Sequence, residues 1–247
     1  MQLARLCLGL LLAVTAPANV PYLAARRGWA FLVSFSLAAY AAFPVLGFFE
    51  SAAMCLGAAL LGFITITRAH GHTWKIQTAP KSWLASSRSI RFPPEILGIL
   101  ALTALAGFLL QGSRIFSKFV GALADNQVAV VVIAALLAIF STNDIVLIIV
   151  RPYTRVLDSS DNTVSSLAPS GIYLGWIERA LVFAFVVSSQ ADAAALTIAA
   201  KSLVRLPEVQ RDQAIFGEYV IVGTLASSLA ATVLAVVGRL ALGLTPL

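Results

Sequence analysis

The sequence predicts an all-α fold, a polytopic transmembrane helical bundle of about seven or eight membrane segments, and three observations carry that prediction. Of 247 residues, 60% are hydrophobic and 11% charged, whereas a soluble domain carries about a quarter charged. The mean hydropathy is +0.91, more apolar surface than a soluble core of this size can hide, so lipid must be the solvent. The apolar residues also fall in runs of membrane-crossing length, and the basic residues collect in the short stretches between them.

The net charge of +6 raises the question of nucleic acid as a partner. No basic stripe interleaved with aromatics accompanies the charge, so nucleic acid is excluded and the lipid bilayer is the expected partner. Cys7 and Cys55 both lie inside apolar runs and have no metal-ligand spacing, which makes them lipid-buried thiols. No cofactor is implied.

The first run, 1–18, has one basic residue, Arg5, then an apolar stretch and small residues that resemble a cleavage site. Two readings fit it, a signal peptide and a first, tilted span of about 17 residues; the second agrees better with the membrane character of everything downstream. Arg26 and Arg27 precede a second run, 28–49, which Pro44 should kink. After a short turn at Phe49-Glu50-Ser51 a third run, 52–67, returns, so these two form a helical hairpin.

Residues 70–94 are the most hydrophilic stretch, with Lys75, Lys81, Arg88 and Arg91 and the interfacial aromatics Trp74 and Trp83. The stretch should lie on the cytoplasmic face. Pro93-Pro94 stops any helix, and a fourth run covers 95–111. The fifth, 128–150, is interrupted by Ser141-Thr142-Asn143-Asp144, which at that depth must face protein or water. The sixth is 171–189 and the seventh 193–206, short enough to be tilted or re-entrant. The eighth is 218–242. The chain is thus one integral membrane domain, 1–247, made of N-terminal helices (1–69), the basic interfacial loop (70–94), middle helices (95–150) and a charged three-segment unit (171–242). The basic loops all fall on one face of this arrangement, the one expected inside.

The charges inside the runs point to a site. Asp144 and Glu178 each lie roughly 10 Å in from the inner surface at 1.5 Å per residue. Arg179, Lys201, Arg205 and Glu218 fall in the same inner half. A lone charge at the bilayer centre costs roughly 2.5 to 3.5 kcal/mol on insertion scales, so these groups should find one another. Neighbours on a helix point about 100° apart, which sends Glu178 and Arg179 to different partners: Glu178 to Lys201 and Arg179 to Asp144, supported by Asn143, Arg205 and Glu218. The bland alternative is that the pairs glue helices together, or that Arg205 and Glu218 near the edge simply reach the surface. Gly171 and Gly175, and the small residues from Gly223 to Ala231, suit close helix packing. His70 and His72 offer at most two metal ligands with no acid or cysteine beside them, so no metal site is expected.

Three blocks in the last third carry a resemblance: Gly175-Trp176-Ile177-Glu178-Arg179-Ala180-Leu181, then Ala199-Ala200-Lys201-Ser202 with Arg205, then Glu218-Tyr219 with Gly223-Thr224-Leu225 and Ser227. This pattern, G-x-x-E-R-x-L, A-A-K-S-x-x-R and E-Y-x-x-x-G-T-L-x-S, resembles the C-terminal part of a group of uncharacterised bacterial integral membrane proteins. The resemblance implies a shared charged bundle and says nothing of substrate.

The sequence carries no nucleophile elbow, zinc-protease or phosphate-loop motif, which disfavours ordinary enzymes. The leading expectation is a bacterial inner-membrane protein that moves a small solute, ion or proton through a polar site. The alternatives are a non-enzymatic subunit or assembly factor that docks a membrane-protein partner or a second copy, and a membrane enzyme acting on lipid headgroups.

Overall fold

The computed structural model describes residues 1–72, 117–118, 120–158, 170–211 and 214–246, and the described residues contain helices and no strand. In order, α1 is Gln2–Asn19, α2 the short Pro21–Ala25, α3 Arg27–Ala42 and α4 Phe48–His72. Then α5, Asn126–Leu136, passes through one π-helical turn, Leu137–Ser141, into α6, Thr142–Asp158. Three long helices close the chain: α7, Ser170–Val187; α8, Ala191–Arg211; and α9, Ala214–Ala241. The expected fourth run, 95–111, most of the basic loop and the loop between α6 and α7 lie outside the described residues.

Among the described residues, four stretches are long and apolar enough to cross a membrane: Gln2–Asn19, Phe48–Thr67, Asn126–Pro152 and Ile221–Ala241. Burial runs opposite to that of a soluble protein. Alanines such as Ala13, Ala30, Ala41, Ala134 and Ala231 are fully buried, while Phe49 is 86% exposed, Leu3 76% and Ile148 72%. Small residues let helix backbones approach when lipid removes any hydrophobic force between helices, and large side chains then face the acyl chains.

Two packed groups share α1. One is α1, α3 and α4, whose core includes Leu6, Ala38, Cys55 and Ala58. The other is α5 to α9, centred on Ala134, Val182, Phe183, Ala231 and Ala235. Leu12 and Ala16 of α1, with Ala41, Ile133 and Leu137, join them. Gly9 is where α1 and α3 come closest, since a Cβ there would collide with the Cβ of Ala41. Cys55 is buried in this core, whereas Cys7 is exposed on the outer surface.

Three expectations are corrected. Proline at 44 does not kink a span; α3 ends at Ala42, the chain turns through 43–47, and α4 begins at Phe48, so Phe49-Glu50-Ser51 is helix and not turn. Proline lacks the N–H that would continue the ladder, and Gly47 follows to complete the turn. The return run 193–206 is longer than expected: it lies within the 21-residue α8, which continues through Pro207. Finally, the nearest neighbour of Gly175 is not another helix but the Arg179 guanidinium, 3.7 Å from a Cβ placed there. Helical side chains lean toward the N-terminus, so the arginine one turn on lies back over Gly175.

Candidate functional site

At the middle of the helices the expected Glu178–Lys201 pair forms: the Lys201 ammonium donates to the Glu178 carboxylate and joins α7 to α8. Both side chains are largely withdrawn, at 14% and 16% exposure for Lys201 and Glu178. Lys201 is at the midpoint of α8, and Glu178 is near the midpoint of α7. The pair therefore lies nearer the middle of its helices than the shorter run suggested, because α8 extends at both ends.

Arg179 takes a different partner from the one expected. Its Nε and Nη2 donate to the backbone carbonyl of Ile139 at 3.2 and 2.8 Å, and its Nη1 to Ser227 Oγ at 3.4 Å. Ile139 is in the π turn. There the helix takes up an extra residue, its i→i+4 ladder breaks, and carbonyls are freed. In hydrocarbon a freed carbonyl costs several kcal/mol unless something satisfies it. The guanidinium satisfies Ile139, while Thr142 Oγ1 donates to Ala138 O at 2.9 Å and Leu137 O at 3.4 Å. Arginine is suited to this because its donors form a rigid planar fork. Arg179 is 4% exposed and Ser227 7%. Trp176, one turn before, sets its ring edge-on to Phe140 of the π turn at 5.0 Å.

Asp144, the expected partner of Arg179, is exposed and belongs to a second polar contact nearer the end of α1. Its Oδ2 accepts from Asn19 Nδ2 at 2.8 Å, and one turn back Thr15 Oγ1 donates to Ser141 Oγ at 2.7 Å. The polar break 141–144 thus faces α1, not α7. Asn143 is half-buried beside it, and Glu218 is exposed near the start of α9. Arg205 lies on α8, and His70 and His72 lie in the last turn of α4; their side chains are outside the described residues. The single predicted cluster is therefore two sites: Glu178, Lys201 and Arg179 at mid-length, and Asp144 with Asn19 toward the basic end.

Two buried arginines were not anticipated. Arg5 is fully buried at the opposite end, donating to Ala124 O and Asn126 Oδ1 at 3.0 Å and Tyr40 O at 2.9 Å, with its guanidinium over the Tyr40 ring. Arg239, 4% exposed, donates to Val186 O at 3.0 Å, Ser189 Oγ at 2.6 Å and Thr245 O at 2.7 Å. Ser189 there adopts a left-handed φ of 63°, and Gln190 N bonds back to Phe185 O, so a serine fills the cap position that glycine usually takes. In both cases the partners include carbonyls in the last turn of a helix, Tyr40 O for Arg5 and Val186 O for Arg239. The available signal was an arginine in an apolar run close to a helix terminus.

Four crossing-length apolar helices under a surface of bare Leu, Ile and Phe define an all-helical membrane protein. No protein-family model, no curated protein and no solved structure matches this chain.

Proposed function

We infer that the protein is a transport or permeation protein of a bacterial cytoplasmic membrane, spanning it seven or eight times, and that it passes a small solute, ion or proton through the polar site at mid-length. The basic end, with Arg26 and Arg27 at the start of α3 and Arg151 in α6, faces the cytoplasm under the positive-inside rule. One observation supports this reading above the rest: ionised groups stand at the midpoint of two adjacent helices, beside a third whose hydrogen-bond ladder is broken at the same level. Charge at that depth is expensive and marks ion and substrate routes far more than packing contacts.

The test is flux in proteoliposomes, driven by a pH or solute gradient, for the parent chain, Glu178→Gln and Lys201→Met. Loss of flux in both variants with the fold retained supports the reading, and normal flux in both removes it. A second reading, a membrane subunit or assembly factor, draws on the closure of the ion pair and the satisfaction of Arg179 by protein oxygens. Gentle purification that brings down a stoichiometric membrane partner would favour it. The resemblance of the 175–227 pattern to uncharacterised bacterial membrane proteins fits either reading.

A further inference from the structure

We propose that the π turn is a two-register switch held by Arg179, and that changing register exchanges Asp144 for Asn143 opposite Asn19. It rests on the reading of the mid-length site as a working one, and it names how that site is coupled to the basic end of the bundle.

The π turn Leu137–Ser141 absorbs one residue more than an α-helix would over the same length. If the turn relaxes to α, every residue after it advances by one helical step, about 100° of rotation and about 1.5 Å of rise. Each position on the surface of α6 is then taken by the residue one earlier in the sequence. Asp144 now meets Asn19. After relaxation Asn143 stands there, so a neutral amide replaces a carboxylate at the contact between α1 and α6. Asn143, one residue earlier on the helix, is half-buried.

What selects the register is the set of side chains that bond to the carbonyls of the turn. In the π register Ile139 O has two guanidinium donors, while Thr142 Oγ1 covers Ala138 and Leu137. In the α register the turn that presents this carbonyl to the guanidinium is gone and Arg179 is released. Arg179 is held on its other side by Ser227 of α9 and stands next in sequence to Glu178. A change at the Glu178–Lys201 pair that shifts α7 therefore pulls on the group that maintains the π turn. Two discrete hydrogen-bond registers, biased by one side chain, are the kind of bistable element that couples distant sites.

The test uses cysteine pairs in native membranes, in a background with Cys7→Ser and Cys55→Ala. Asn19→Cys with Asp144→Cys reports the π register, and Asn19→Cys with Asn143→Cys reports the α register. With Arg179 present, oxidation should link 19 to 144 and leave 19 to 143 near background. Adding Arg179→Met removes both guanidinium donors to the Ile139 carbonyl, and the ratio of the 19–143 to the 19–144 product should rise at least about tenfold, as expected for losing charge-assisted hydrogen bonds. Ser227→Ala, which removes only one of the three bonds, should move the ratio the same way by less. An unchanged ratio in folded Arg179→Met overturns the switch; if that variant does not fold, an unchanged ratio in Ser227→Ala does so. The readout is geometric, so a chain that shows no flux can still show the register change, and the two proposals fail separately.

Discussion

Replacing Lys201 with methionine leaves Glu178 without its ammonium partner at the middle of α7. Breaking a buried ion pair from one side costs about 3 to 5 kcal/mol, and insertion scales put an isolated charge at the membrane centre at roughly 2.5 to 3.5 kcal/mol. The pair retains 14% and 16% of its exposure, and a stranded carboxylate can take up a proton instead of staying charged, so about 2 kcal/mol is the expected loss. For a chain of this size a kilocalorie shifts Tm by about 2 to 4 °C, which gives a fall of about 4 to 8 °C. Glu178→Gln should cost a similar amount by leaving Lys201 alone. The double variant, with neither charge, should recover at least about half of the loss, because no ion is then left in a poor solvent. Thermal unfolding of the purified protein in detergent or nanodiscs, run as a full double-mutant cycle, reads the coupling directly. Single losses that add in the double variant to within about 0.5 kcal/mol would refute the claim that the two groups act as one withdrawn pair.

Other perturbations follow from the same packing. Gly9→Val should destabilise the α1–α3 crossing by about 1 to 3 kcal/mol, since its side chain meets Ala41, whereas Gly57→Ala, with open space around it, should be near neutral; thermal unfolding compares them. Arg5→Met should cost about 3 kcal/mol or more, because Ala124 O, Tyr40 O and the Asn126 side chain all lose a charged donor, and Arg5→Lys should restore only part of it. Ser189→Gly relieves a left-handed serine of about 1 kcal/mol but removes the Arg239 contact to its hydroxyl, worth about 1.5 to 3 kcal/mol, so a net loss in Tm is expected.

The all-helical membrane character was legible because hydropathy and run length are properties of the sequence itself, and the helices carrying Arg5, Asp144, Glu178 and Lys201 lie close to where the runs put them. The Glu178–Lys201 pair was legible for a related reason: two opposite charges buried at matching depths in consecutive segments have little else to bind. The partner of Arg179 was not. It is a backbone carbonyl in the π turn Leu137–Ser141, and no residue type announces that turn. Arg5 and Arg239 were missed for the same cause, as carbonyls at helix ends satisfy them. Pro44 was read as a kink because proline alone does not say whether a helix bends or stops; Gly47, a few residues on, was the sign that it stops.

The proposed function requires the Glu178, Arg179 and Lys201 site to lie at mid-depth in a bilayer. A spin label at Ile177, which is 58% exposed on the outer face of α7 beside the site, measures this in reconstituted membranes through its collisions with oxygen and with a water-soluble nickel chelate. The account predicts that, among labels along the exposed face of α7, the ratio of oxygen to nickel collisions is highest near Ile177 and falls toward Tyr173. A label at Ile177 that the aqueous chelate reaches as freely as it reaches Gln190 would contradict it.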